Sequence, residues 1–220
     1  MPRKADLKRK TPPSPRRSGA TAGRPAEVLR KTRETNINLN INLDGKGKAK
    51  ARTGISFLDH MLEALGKHAS FDLNVQAKGD INVDQHHLAE DLGIALGEGI
   101  TKALKNKKGI MRAGCDGGFA FPMDETIALA AVDLSGRVKL NFKVKFREKE
   151  VGDLRANVIE DFFEGLANGL RANLYIETKS ARSTHHQVEA IFKAVGKSLR
   201  MATELDQRNK GRIPSTKGKL

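Results

Sequence analysis

Four of the six histidines in the 220-residue chain stand in two adjacent pairs, and a glutamate follows each pair at the same distance. In "VDQHHLAED" the set is His86, His87 and Glu90; in "STHHQVEAIFK" it is His185, His186 and Glu189. On a helix, residues four apart share a face, so His86 lies beside Glu90, and His185 beside Glu189. The second histidine of each pair is turned about 100° away. One motif therefore offers an imidazole and a carboxylate to one metal ion and its odd imidazole to another. Two motifs related by pseudo-symmetry would share two metals, each ion taking the odd histidine from the other motif. Imidazole and carboxylate donors without thiolate suit Mn²⁺, Fe²⁺ or Zn²⁺. The single cysteine, Cys115, excludes an intrachain disulfide framework and a cysteine-based zinc site. Two alternatives remain for the pairs at this level: polar helix-capping surface, and a structural zinc without catalytic role.

The elements that must carry these residues follow from periodicity. "TNINLNINLDG" alternates with period 2 and reads as a half-buried strand ending in a turn. "GISFLDHMLEALGKHA" has apolar residues at Phe57, Leu58, Met61, Leu62 and Leu65, which is helical spacing, with Ser56 placed as an N-cap. "FDLNVQAKGDINVD" is a strand, and a helix opens at the first histidine pair. The second half repeats the order: strand, turn and strand in "TIALAAVDLSGRVKLNFKVKF", a helix in "VIEDFFEGLANGL", a strand in "RANLYIET", and a helix at the second pair. "NLDGK" at 42–46 matches "DLSGR" at 133–137, and "DHMLEAL" at 59–65 matches "EDFFEGL" at 160–166. The reading is an α+β fold of duplicated β-β-α-β-α half-domains, about 27–111 and 112–210, giving two sheets covered by helices.

The net charge of +14 is uneven. Residues 1–26 hold eight Lys or Arg against the single acid Asp6, about half of the surplus. Their Pro, Ser and Gly content and lack of large apolar residues predict a disordered basic tail ahead of a folded domain over 27–220. Such a tail attracts anions non-specifically; specific nucleic-acid binding is not expected. No apolar run approaches a membrane span, and no signal-peptide core is present, so a cytoplasmic protein is expected.

The motifs "TGISFLDHMLEAL", "VDQHHLAEDLGIALG", "PMDETIALAAVDLSGR", "HHQVEAIFKAVGKSLRMA" and "IPSTKGKL" resemble those of the imidazoleglycerol-phosphate dehydratases of histidine biosynthesis, over about Val28–Leu220. The resemblance implies dehydration of imidazole-glycerol phosphate to imidazole-acetol phosphate. It implies two Mn²⁺ per chain, other divalent ions being alternatives. It also implies a homo-oligomer, a 24-subunit shell with active sites between subunits. A divergent, metal-binding paralogue with weak or no activity is the alternative.

Carried over by motif, the metal ligands are His60, His86, His87, Glu90, His185, His186 and Glu189. The family's remaining histidine ligand is matched by Asp161, which either replaces it as a carboxylate ligand or faces solvent with one metal lost. Glu34 matches the family's active-site glutamate and is the expected proton carrier, with Glu189 able to share the task. The resemblance assigns the phosphate to Arg112, Arg137, Lys193, Ser215 and Lys217, the last two in a C-terminal phosphate-binding tail. Asp124 and Glu125 are read as either support for a metal ligand or turn residues. Tyr175 stands where the family has histidine, Leu88 where Thr is usual, and Ala181 and Ser183 where Gly and Asn or Asp precede the second pair. "GCDGGFAF" looks longer and richer in glycine than usual.

Overall fold

A computed structural model describes residues 23–114, 119–179 and 181–218. Most of the expected basic tail, and residues 115–118 of the glycine-rich segment, lie outside the described residues. The elements of the first half are β1 (Pro25–Lys31), β2 (Thr35–Asn42), β3 (Ala49–Arg52), α1 (Ser56–Ala69), β4 (Asp72–Gly79) and α2 (His86–Leu104). Those of the second are β5 (Phe119–Met123), β6 (Thr126–Asp133), β7 (Lys139–Lys143), the hairpin β8 (Glu150–Val151) and β9 (Leu154–Arg155), α3 (Val158–Leu170), β10 (Asn173–Lys179) and α4 (Thr184–Thr203).

The duplication is explicit in the sheets, ordered β1-β2-β4-β3 and β5-β6-β10-β7. In each, the first three strands are antiparallel and the last pairs in parallel with its neighbour. Each half's sheet thus has one strand more than its pattern announced, and the second half adds the β8–β9 hairpin. β1 and β5 are edge strands; β1 buries only Val28 fully, and β5 carries Pro122, which edge positions tolerate. β1 also takes in Pro25 and Ala26, so the folded domain starts before the expected tail boundary at residue 26.

The helices form the middle of the molecule. α2 lies on β1 and β2, α4 on β5 and β6, and the layers meet where α1 packs on α4 and α2 on α3. β2 shows why: Ile37, Leu39 and Ile41 are buried toward the helices while Asn36, Asn38 and Asn40 face outward. The α2–α3 crossing is close enough to require glycine on both helices. A Cβ on Gly93 would stand 2.0 Å from the Phe162 carbonyl oxygen, and one on Gly165 would stand 2.3 Å from that of Glu90.

Ser56 is not the N-cap of α1. It is the first helical residue, and the cap position, Ile55, has no side-chain acceptor. The acceptor comes from the β8–β9 turn instead: the Asp153 carboxylate takes the backbone N–H groups of Ser56 (2.6 Å) and Phe57 (2.8 Å). The same hairpin holds α2, because Gln85 donates to the Asp153 carbonyl (2.7 Å) and accepts from the Arg155 N–H (2.9 Å). A short insertion in the second half therefore fixes the N-termini of two helices in the first.

Candidate metal centre and phosphate pocket

The helix pairing decides which side chains meet. Because α1 packs on α4, His60 joins the second motif: His185 Nε2 is 3.3 Å from Glu189 Oε2, and His60 Nε2 is 4.0 Å from Glu189 Oε1. These three residues offer ligand atoms all within 4.8 Å of one another, a ready cation site. The edge of Phe57 packs on His185 with ring centroids 5.1 Å apart, and Gly152 of the hairpin turn lies against Phe57. Because α2 packs on α3, Asp161 joins the first motif. Its carboxylate is 2.9 Å from His86 Nδ1, while Glu90 stands 3.7 Å from His86 Nε2. Asp161 and Glu90 thus approach opposite nitrogens of one ring. Asp161 neither faces solvent alone nor converges with Glu90 on a common point.

The odd histidines do not cross to the other motif within the chain, contrary to the exchange expected from the helical spacing. His87 turns its Nδ1 to Asp80 (3.1 Å), with Glu34 at 4.0 Å. His186 turns its Nδ1 to Glu125 (3.1 Å), with Asp124 at 3.5 Å from Nε2. The physical reason is the helix pairing: each motif's shared face meets its partner helix, so the histidine turned away meets the carboxylates of a neighbouring turn instead.

Charge follows this geometry. The Asp161 carboxylate beside Nδ1 pushes the His86 imidazole above its usual 6.5, and Asp80 does the same for His87. Burial works to raise the Glu189 carboxyl, but Lys193, at 2.7 Å, and the neighbouring His60 and His185 hold it below the ordinary range. Glu125 is pulled down to about 2, first by its own backbone N–H, then by His186, with help from the N–H groups of Ser183 and Arg182. Glu34 and Glu125 are equivalent in the duplication, each preceding the first residue of a central strand, Thr35 or Thr126. Glu125 has its lone pairs committed; Glu34 is half exposed and makes only the long contact to His87.

Of the phosphate candidates, Arg112, Arg137, Ser215 and Lys217 line one pocket, together with Ser135, Gly136 and Thr216. Arg112 is also its framework: it grips Asp133 with two bonds of 2.7 and 3.0 Å and donates to the Pro214 carbonyl (2.8 Å), which seats the C-terminal segment. Lys193 is not among the lining residues; it sits with Glu189 at the His60 cluster, 5.6 Å over the Phe121 ring. Apart from Asp161, three departures from the family pattern have other surroundings. Ser183 caps α4 by accepting the His186 N–H, the role Asp84 has toward His86 in α2. Tyr175 donates to Glu177 (2.6 Å) under Lys143, on the β10 face turned away from the helices. Leu88 is fully buried.

Sequence reasoning missed Asp80, whose partner His87 lies across a turn, Asp153, whose partners Ser56 and Phe57 are nearly a hundred residues away, and the buried Asp91, which holds Arg30 through two bonds of 2.8 and 2.6 Å to one oxygen. No spacing rule signals any of them.

Residues 53–199 match the family described as imidazoleglycerol-phosphate dehydratase. The imidazoleglycerol-phosphate dehydratase of Koribacter versatilis (strain Ellin345) is 49% identical over 197 residues, 90% of this chain and 100% of that protein. That of Paraburkholderia xenovorans (strain LB400) is 46% identical, covering 89% of this chain and 98% of its own length. Among solved structures, the dehydratase of Staphylococcus aureus subsp. aureus N315 superposes with a TM-score of 0.73 at 33% identity, over 82% of this chain and 99% of that one. The Pyrococcus furiosus structure gives 0.72 at 35% identity, over 88% of this chain and 100% of that one. The chain belongs to the imidazoleglycerol-phosphate dehydratase family.

Proposed function

We propose that the chain is a hydro-lyase that converts imidazole-glycerol phosphate to imidazole-acetol phosphate in histidine biosynthesis, as a cytoplasmic enzyme with two Mn²⁺ per chain. The observation that carries this reading is the His60–His185–Glu189 cluster with Lys193 one helical turn beyond it. Its donors fit the ion: two imidazoles and a carboxylate, without thiolate, are a set that Mn²⁺ accepts. His86 and Glu90 are the matching pair for the second ion. His60, His86 and His185 each leave about half of the side chain exposed, which supports a shell completed by neighbouring chains and so an obligatory oligomer, the family's 24-subunit assembly.

Removing water from this substrate requires loss of a carbon-bound proton with no carbonyl beside it. When bound, the divalent ions supply positive charge that stabilises an electron-rich imidazole ring. The chain supplies the rest. Glu34 is the proton carrier, because its carboxylate is uncommitted while its duplicate Glu125 is locked to backbone N–H groups. Glu189, depressed and paired with Lys193, suits a ligand better than a base. Arg137, Ser215 and Lys217 receive the phosphate, in a pocket that Arg112 holds open.

The test is turnover of synthetic substrate by purified protein loaded with Mn²⁺. Metal-dependent formation of the ketone, abolished in His185→Ala and in Glu34→Gln, is expected. Protein that holds stoichiometric Mn²⁺ and yields no product would refute the activity.

A further inference from the structure

We propose that Asp80, Asp161 and Glu125 are positioning residues that hold the Nδ1–H of His87, His86 and His186, leaving Nε2 as the single ligating nitrogen of each ring. The inference rests on the metal reading above. It departs from the expectation that Asp161 is itself a ligand.

His87 and His186 each hydrogen-bond a carboxylate through Nδ1, and the Asp161 carboxylate stands at His86 Nδ1 as a close ion pair. Asp161 lies 2.9 Å from His86 Nδ1, Asp80 3.1 Å from His87 Nδ1, and Glu125 3.1 Å from His186 Nδ1. The three carboxylates come from unrelated places: the first turn of α3, the end of β4, and the β5–β6 turn. They are not copies of one duplicated residue, yet each lands on the same ring atom. An imidazole that donates from Nδ1 keeps its lone pair on Nε2, so the carboxylate fixes both tautomer and ring plane. Each carboxylate, or the chain carrying it, is anchored in turn. Glu125 accepts the N–H groups of Arg182 and Ser183, and the Asp80 backbone N–H is held by the Glu34 carbonyl at 3.1 Å. Asp161 is carried on the helix that Gly93 and Gly165 allow to approach α2.

For His86 the geometry separates ligand from support. Glu90 lies on the Nε2 side at 3.7 Å, and the two ring nitrogens face opposite ways. An ion between Glu90 and Nε2 leaves Asp161 behind the ring. His60, the duplicate of Asp161, does the reverse: it turns Nε2 into its cluster. The duplicated position has therefore split into a ligand in one half and a ligand's support in the other.

The experiment uses ¹⁵N-histidine-labelled full-length protein, metal-free, precipitated as a solid pellet and held at alkaline pH where the rings are neutral. Six histidines make assignment by substitution practical. Solid-state spectra are expected to show His86, His87 and His186 as Nδ1–H tautomers. Asp161→Ala, Asp80→Ala and Glu125→Ala should each release only their own ring. Asp161→Asn, Asp80→Asn and Glu125→Gln, which keep an acceptor oxygen, should retain the tautomer. Glu125→Gln also keeps an acceptor for the Arg182 and Ser183 N–H groups. An Nε2–H tautomer in the wild-type protein overturns the proposal for that ring. Mn²⁺ titration is the second readout: the Ala variants should weaken binding by roughly 10- to 100-fold, and Asp161→Asn should keep both ions. Outright loss of one ion in Asp161→Asn makes Asp161 a ligand and overturns its assignment. If the wild-type protein binds no Mn²⁺, the metal reading fails, and the tautomers still decide the positioning.

Discussion

Replacing Gly93 by alanine tests whether the α2–α3 contact sets the geometry of the first motif. In a helix free of neighbours this change stabilises by about 1 kcal/mol through propensity alone. Here the new methyl would lie 2.0 Å from the Phe162 carbonyl oxygen and would also crowd the Leu166 amide nitrogen at 2.8 Å. Both neighbours are backbone and cannot rotate away. The helices must part by on the order of 1 Å, which forfeits packing along the crossing. Overpacking of this kind costs about 1–3 kcal/mol, and more when both walls are rigid, so the expected net loss is about 3 kcal/mol. For a chain of this size that lowers the melting temperature by about 6–12 °C. Parting the helices also draws Asp161 from His86, now 2.9 Å away. Gly99→Ala is the control on the same helix: its methyl would meet the end of the flexible Leu39 side chain at 3.0 Å, and stability should change by less than about 1 kcal/mol. Thermal denaturation followed by circular dichroism compares the two. A Gly93→Ala protein that melts at or above the wild-type temperature would refute the close-crossing argument.

Asp153→Ala should destabilise the fold by about 1–2 kcal/mol, since two N–H groups of α1 lose their acceptor. Burial works to raise the Asp153 carboxyl, but the N–H groups of Phe57 and Ser56 hold it below the ordinary 3.8. Its contribution is therefore complete above that value and is lost as pH falls through the depressed one; Asp153→Asn should flatten acid denaturation in that window. Thr126 is buried and its hydroxyl has no partner among the described residues, so Thr126→Val should raise stability by about 1 kcal/mol in urea titration. Its duplicate Thr35 donates to Asp91, and Thr35→Val should lower stability by a similar amount. Lys193→Met should lower kcat/KM by about 10- to 100-fold, the equivalent of one charge-assisted hydrogen bond, with the melting curve little changed. Chelation of the metal should shift the assembly toward smaller species in light scattering, because ligands shared between chains contribute association energy.

The sequence reached the histidine-bearing helices because both signals involved are local. The apolar spacing of Phe57, Leu58, Met61, Leu62 and Leu65 declares α1, and the repeated histidine pairs mark where α2 and α4 begin. Edge strands were lost because one buried Val28 in β1 and a proline in β5 give no periodic pattern. The Ser56 cap was misread for a different reason. Serine before an apolar stripe is a sound local signal, but the hairpin carrying Asp153 arrives from about a hundred residues away and takes the N–H groups first. Which histidine meets which carboxylate is likewise a tertiary matter. Helical spacing fixes the angle between His86 and His87; only the pairing of α1 with α4 and α2 with α3 decides what stands opposite each.

The duplicated halves show how one scaffold yields unequal sites. In the first half Arg30, Asp91 and Thr35 form a part-buried charged network at the residue after Glu90. Strand register and helix spacing place Phe121, Ala190 and Thr126 at the equivalent points of the second half, and the Thr126 hydroxyl is left without a partner among the described residues. The space that holds the guanidinium in one half holds an aromatic ring in the other, and that ring lies under Lys193. Polar anchoring next to Glu90 has thus given way to a cation beside Glu189. The same divergence separates Glu34 from Glu125. One duplicate was drawn into the loop before α4, where backbone donors hold it ionised; the other was left half exposed beside His87. A base must be free to gain and lose a proton, and a support must not move. Under the proposed roles, base for Glu34 and support for Glu125, one duplicated position serves both because its surroundings differ between the halves.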